Sequence, residues 1–199
     1  NPTGNVDTYV TNKSMALNLG IYGADLSYVS LFDQTQASID YMTASRKLAD
    51  GLGILDAIND STIQALRQNI NNRDAIVNII SQTFMNSDSY LKENQRDEVA
   101  AMIVVGGWIE GLYLAIQLTE NSLSNNEVLI KRIIDQKLSL LLTINLLELY
   151  KNNENISAIL NDMKAIKAVY DEIDEEDLNK ENFEKLANKV ELIRNSYTI

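Results

Sequence analysis

Val99 to Leu118 reads VAAMIVVGGWIEGLYLAIQL. It is the most apolar window of the chain, holds the only Trp, and carries a single formal charge, Glu110. A run of roughly 20 apolar residues meets the length requirement of a transmembrane helix. Gly107 and Gly111 even form the G-x-x-x-G spacing used in membrane helix pairs. Against a span stand Glu110 at the midpoint, Gln117, three glycines and the flank Arg96-Asp97-Glu98. A carboxylate at mid-bilayer costs about 2.5 kcal/mol or more on the insertion scale. No basic cluster on either side would orient a span. A helix that is hydrophobic all round also suits the centre of a protein core, and that reading is preferred.

On a period of 3.6 residues this helix has two kinds of face. Val105, Trp108, Ile109, Leu112 and Ile116 make a bulky side. Ile103, Gly106, Gly107, Glu110, Tyr113, Leu114 and Gln117 make a side that begins small and ends polar. A glycine within a helix costs about 1 kcal/mol relative to alanine. Glycines at 106, 107 and 111 therefore predict that another helix packs very close there, with Glu110 at the edge of the contact.

Composition extends the helical reading to the whole chain. Its 199 residues include one proline, Pro2, and eight glycines, while 45% are hydrophobic. So few helix breakers predict an all-α protein, and the length suits a single domain. The expected architecture is a bundle of about seven or eight helices built around helices at 90–120 and 126–150. Residues 1–99 carry 7 basic and 12 acidic side chains, leaving 10 and 16 of the total 17 and 28 for residues 100–199. The net charge of −11 is thus evenly spread and forms no basic stripe. Such a surface repels phosphate backbones, which disfavours nucleic acid and anionic membrane surfaces as partners. The absence of cysteine removes thiol catalysis and disulfides. The absence of histidine removes Ser-His-Asp chemistry and histidine-ligated metals. No cofactor or metal is expected.

In order, NPTGNVDT reads as a polar leader, with a targeting segment expected ahead of Asn1. A helix from about Val6 to Phe32 follows, with Met15, Leu19, Tyr22, Leu26 and Val29 as its stripe. Its other face is small: Ala16, Gly20, Gly23, Ala24 and Ser27. Asp33 and Gln36 are placed to cap the next helix, which ends near Gly51 and Gly53. A capping box at Ser61–Gln64 starts a short helix through Ile70. Asn71-Asn72 breaks it, Ile76 to Phe84 forms another, and Asn86–Ser89 reads as a turn. A loop at 121–126 with a cap at Ser124–Glu127 precedes a helix apolar nearly all round, in which Asn145 needs a buried partner. Ile156 to Val169, an exposed acidic connection at 171–182, and Phe183 to Ile193 complete the chain. Residues 171–177 resemble a calcium loop only superficially, lacking its glycine. Each half can be read as two long and two short helices, so a duplication relating 6–87 to 88–199 is a second reading of the single domain at 1–199.

The site candidates are Asp25 and Glu110 with the aromatics Tyr22, Tyr28, Trp108 and Tyr113. If the two small faces pack together, the carboxylates approach and offer an acid–base pair or an oxygen-rich cation site. The plainer reading is that each accepts hydrogen bonds and fixes packing. The aromatics either line a pocket or are ordinary core.

Asn18–Tyr28 (NLGIYGADLSY), Leu48–Ile54 (LADGLGI) and Gly106–Tyr113 (GGWIEGLY) resemble an uncharacterised all-helical family of predicted lipoproteins from Bacteroidetes bacteria. The likeness spans about residues 14 to 120. It implies a cell-envelope location, periplasmic or outer-membrane-anchored, with a lipid-bearing cysteine upstream of Asn1. It supplies no activity and no catalytic residue. The leading expectation is a non-enzymatic envelope protein that binds a protein partner or small ligand, touching membrane only through that anchor. The alternatives are an enzyme using Asp25 and Glu110, or an assembly module with a broad apolar patch on the outer face of residues 155–197.

Overall fold

The computed structural model describes residues 1–55, 60–69, 72–119, 127–173 and 180–199. Among these the protein is all-α, with eight α-helices and a short 3-10 turn and no strand. The helices are α1 (Asn12–Leu31), α2 (Thr35–Gly51), α3 (Asp60–Gln68), α4 (Arg73–Glu93), α5 (Asp97–Thr119), α6 (Glu127–Glu148), α7 (Glu154–Glu172) and α8 (Lys180–Tyr197). Two compact units arise, residues 1–108 with Thr198 and residues 109–197 with Ile199. The division falls inside α5.

In the first unit α1 packs on α2 and α4, and α3 packs on α4. Every residue of α1 from Ala16 to Gly23 is buried, so α1 is a core helix like α5. Its small face meets the glycines of α5 as expected. A Cβ on Gly20 would collide with the Ile103 carbonyl and the Gly107 nitrogen, and one on Gly106 would collide with the Leu17 carbonyl. Backbone touches backbone there, which only glycine permits. Gly111 faces open space, so only half of the G-x-x-x-G pattern is used. A second core cluster gathers Leu26, Met42, Leu66, Ile76 and Ile80.

In the second unit α6 packs on α7 and α7 on α8. Ile156, Ile159, Leu160, Met163 and Ile166 of α7 are buried, as are Phe183, Leu186, Val190 and Ile193 of α8. The 3.6-residue pattern placed both stripes correctly.

Several expectations are corrected. The first helix starts at Asn12, because Thr11 and Ser14 form a reciprocal capping box. The leader is folded: Thr3–Thr8 is a 3-10 turn against α2. Asp33 does not cap α2, whose N-cap Gln34 makes no side-chain bond. Asp33 instead has φ 55° and accepts from Arg73 at 2.6 Å. α3 begins at Asp60, so Ser61 lies within it. No turn exists at 86–89. α4 continues to Glu93 because Ser87 donates to the Thr83 carbonyl and Gln82–Asn86 and Asp88–Lys92 pair one turn apart. The turn comes at Asn94–Arg96, with Gln95 at φ 56°. Asn145 is exposed, since α6 buries one side only. Of the expected break at Asn71-Asn72, Asn72 is the N-cap of α4, accepting from the Ala75 N–H at 3.1 Å; Asn71, the loop at 121–126, and residues 174–179 of the acidic connection lie outside the described residues.

α5 passes the length and composition test of a membrane span, with mean hydropathy 1.9, yet most of its apolar window is buried inside the protein. That is the environment of a core helix.

Candidate functional site

Glu110 is fully buried in the second unit and is held by a guanidinium. Arg194 Nε donates to Glu110 Oε2 at 2.8 Å and Arg194 Nη2 to Oε1 at 2.9 Å. This fork-to-fork geometry is the strongest arrangement a carboxylate can receive. The guanidinium carbon also lies 4.8 Å from the centre of the Tyr113 ring, a cation–π contact. α5 supplies Glu110 and Tyr113 three residues apart on one face, and α8 supplies Arg194 beside the buried Ile193. With both oxygens on one guanidinium, the group is arranged to hold α8 rather than to shuttle protons.

Asp25, buried in the first unit, has different company. Its Oδ2 lies 3.0 Å from the backbone nitrogen of Asn1. The side-chain nitrogen of Asn1 donates to Asn18 Oδ1 at 2.8 Å and to the Tyr9 hydroxyl at 3.0 Å. Tyr41 donates to the Asn1 carbonyl at 3.1 Å and Tyr22 to the Pro2 carbonyl at 2.9 Å. Tyr22 also packs between Tyr9 and Tyr41, with ring centres 6.3 and 5.7 Å away. Burial first, then the neighbouring Tyr9, pushes the Tyr22 hydroxyl well above the ordinary tyrosine range. It is locked as a neutral donor. Asn1 and Pro2 are thus fastened into the unit by a knot of hydroxyls and amides around Asp25.

The other aromatics have separate surroundings. Tyr28 is half-buried and tilts against Phe32 at 4.8 Å. Trp108 is half-buried. The ring contacts of Tyr22, Tyr28 and Tyr113 are with other residues than one another. Among the described residues, no three acidic side chains gather closely enough to hold a metal ion.

A cavity of about 50 Å³ lies elsewhere in the first unit. Leu19, Gly23 and Leu26 of α1, Met42 of α2, Ile63 and Leu66 of α3, and Ile80 and Phe84 of α4 form its apolar walls. Hydroxyls of α2, α3 and α4 interrupt them: Ser45, Thr62, Thr83 and Ser87. Thr83 and Ser87 are spent on their own helix, donating to the Ile79 and Thr83 carbonyls at 2.7 and 2.9 Å. Ser45 differs. Its Oγ is buried and has no hydrogen-bond partner among the described residues. Gly23 makes room for the cavity wall, because a Cβ there would strike the Phe84 ring.

Sequence reasoning missed Arg194, Ser45 and Phe84. Arg194 follows Ile193, a buried position of its stripe, and Ser45 sits between Met42 and Leu48 on another. These positions flank a core face, but nothing in the sequence names the partner across it. No family model, curated protein or solved structure matches the chain.

Proposed function

We propose that the protein is a non-enzymatic binding protein of the cell envelope, and that its site is the cavity among α1, α2, α3 and α4. The ligand is a small amphiphile with an apolar body and one hydrogen-bonding group. The observation that carries this reading is Ser45. A buried hydroxyl without a partner costs about 1–3 kcal/mol, and a serine in a helix ordinarily relieves that by bonding the carbonyl four residues back. Thr83 and Ser87 do so in the same wall, whereas Ser45 keeps its capacity for something that enters. The remaining walls are apolar, as ligand pockets generally are. The likeness of three motifs to envelope lipoproteins supports the location.

The test is a titration with methanol, ethanol and propanol and alkanes of matching length, sized to a cavity of about 50 Å³, read by methyl shifts of Met42, Ile63 and Leu66. Alcohols should bind better than alkanes by about tenfold, the worth of one hydrogen bond, and Ser45→Ala should abolish that preference. Leu66→Trp, which fills the space, should remove binding of both. Failure of every probe to move these methyls, or binding that survives Leu66→Trp, would overturn the reading.

A further inference from the structure

The apolar face that an assembly role requires is on α6. One side of this helix is buried through Ile133, Leu140, Ile144 and Leu147. On a helical projection the opposite side holds Lys131, Asp135, Leu138, Leu142 and Asn145, and all five are exposed. Leu138 and Leu142 are 67% and 63% exposed and lie one turn apart, so they form one apolar patch rather than scattered single side chains. The spacing along this side alternates four, three, four and three residues. These are the positions that would face a partner helix in a two-stranded pair, with leucine at the two central ones, and they lie directly opposite the buried stripe. Half-buried Leu141 and Leu146 widen the leucine centre on its two flanks.

We propose that this face is the seam of an antiparallel homodimer, with a second copy of this chain as its occupant. The polar residues at the ends of the seam choose both partner and direction. Side by side in parallel, two copies would set Asp135 against Asp135 and Lys131 against Lys131, two like-charge contacts in a partly dry interface. Antiparallel about the midpoint between 138 and 142, Leu138 of each copy meets Leu142 of the other. Asp135 then meets Asn145, whose amide donates to the carboxylate, once at each end of the leucine centre. Neither Asp135 nor Asn145 has a hydrogen-bond or ion-pair partner among the described residues. Between 135 and 145 the seam is thus complementary to itself in one direction only. Each chain carries −11, so long-range repulsion opposes pairing and salt relieves it.

Sedimentation equilibrium of the full chain tests this. A monomer–dimer equilibrium that moves toward dimer as salt is raised is expected. Leu142→Lys, at an exposed position, should weaken pairing by about a hundredfold because both copies lose the leucine, with an unchanged circular dichroism spectrum. The chain lacks cysteine, which makes direction readable by oxidation. A mixture of Leu138→Cys and Leu142→Cys chains should cross-link to each other, and neither variant should cross-link to itself. Self-linking of either variant, or a monomer at millimolar concentration and high salt, overturns the proposal. So does a monomer that binds phosphatidylcholine vesicles and loses them with Leu142→Lys, which would assign the face to lipid.

Discussion

Asp25 and Glu110 are both carboxylates in the middle of apolar helices, and the two units surround them differently. Glu110 receives the rigid guanidinium of Arg194, 84 residues later, through two bonds. Asp25 meets the backbone nitrogen of Asn1 within a shared network of Tyr9, Asn18, Tyr22 and Tyr41. A single bidentate pair concentrates the cost of failure in two residues, while a network divides it among many. The second unit should therefore be brittle at one point, and the first should yield gradually.

The largest effect is expected at the concentrated point. Arg194→Met leaves Glu110 buried and uncompensated, and removing one partner of a buried pair costs about 3–5 kcal/mol. Urea unfolding should show that loss as a lower midpoint. The double variant Glu110→Leu with Arg194→Met should recover most of it, since apolar replacement of both partners is often neutral. A double variant as weak as the single one would mean that the guanidinium acts by covering Tyr113 rather than by neutralising Glu110.

A smaller effect separates the two halves of α5. Gly106→Ala must push the Leu17 backbone away, and overpacking of this kind costs about 1–3 kcal/mol. Gly111→Ala meets open space and should be neutral or stabilising by up to about 1 kcal/mol through helix propensity. Equal thermal shifts for the two alanines would remove the close α1–α5 contact as the reason for the glycines.

How much of this was legible follows the same division between local and distant information. The all-α class and most of the stripes of α7 and α8 were readable because proline scarcity and periodicity are local. The Leu48–Ile54 motif is a helix end in structural terms: Gly53 at φ 68° lets the Ile54 N–H return to the Ala49 carbonyl at 2.9 Å. The glycine contact was readable because two small faces need each other. The errors came where one chemistry serves two ends. Asp33 is a good cap by type, yet it is taken by Arg73, forty residues later. Asn86-Ser-Asp-Ser89 has turn composition, yet each helical turn there finds a side-chain bond that keeps it helical. α6 reads as buried all round because leucines that face solvent and leucines that face the core have the same letter. The partners of Glu110 and Asp25 belong to tertiary docking, which no local pattern encodes.

The least effect, and the one that reports on both units at once, lies in the alkaline range. Burial raises the hydroxyls of Tyr22 in the first unit and of Tyr170 and Tyr197 in the second well above the usual tyrosine value. The Asp162 carboxylate, which accepts from Tyr197 at 2.9 Å, raises that one further. In the unfolded chain these groups ionise near pH 10. Above that pH the folded state binds more protons than the unfolded state, so stability is complete below about pH 10 and falls as pH rises beyond it. Absorbance titration at the phenolate band should show three of the nine tyrosines ionising only when the protein unfolds. Tyr22→Phe forfeits one hydrogen bond, about 1 kcal/mol at neutral pH, and should leave two late tyrosines and a shallower alkaline slope. Because its network shares the load, the loss at Tyr22 should be several times smaller than the loss at Arg194. A comparable loss at the two sites would mean that the knot at Asn1 is as brittle as the guanidinium pair, and the contrast between the units would fall.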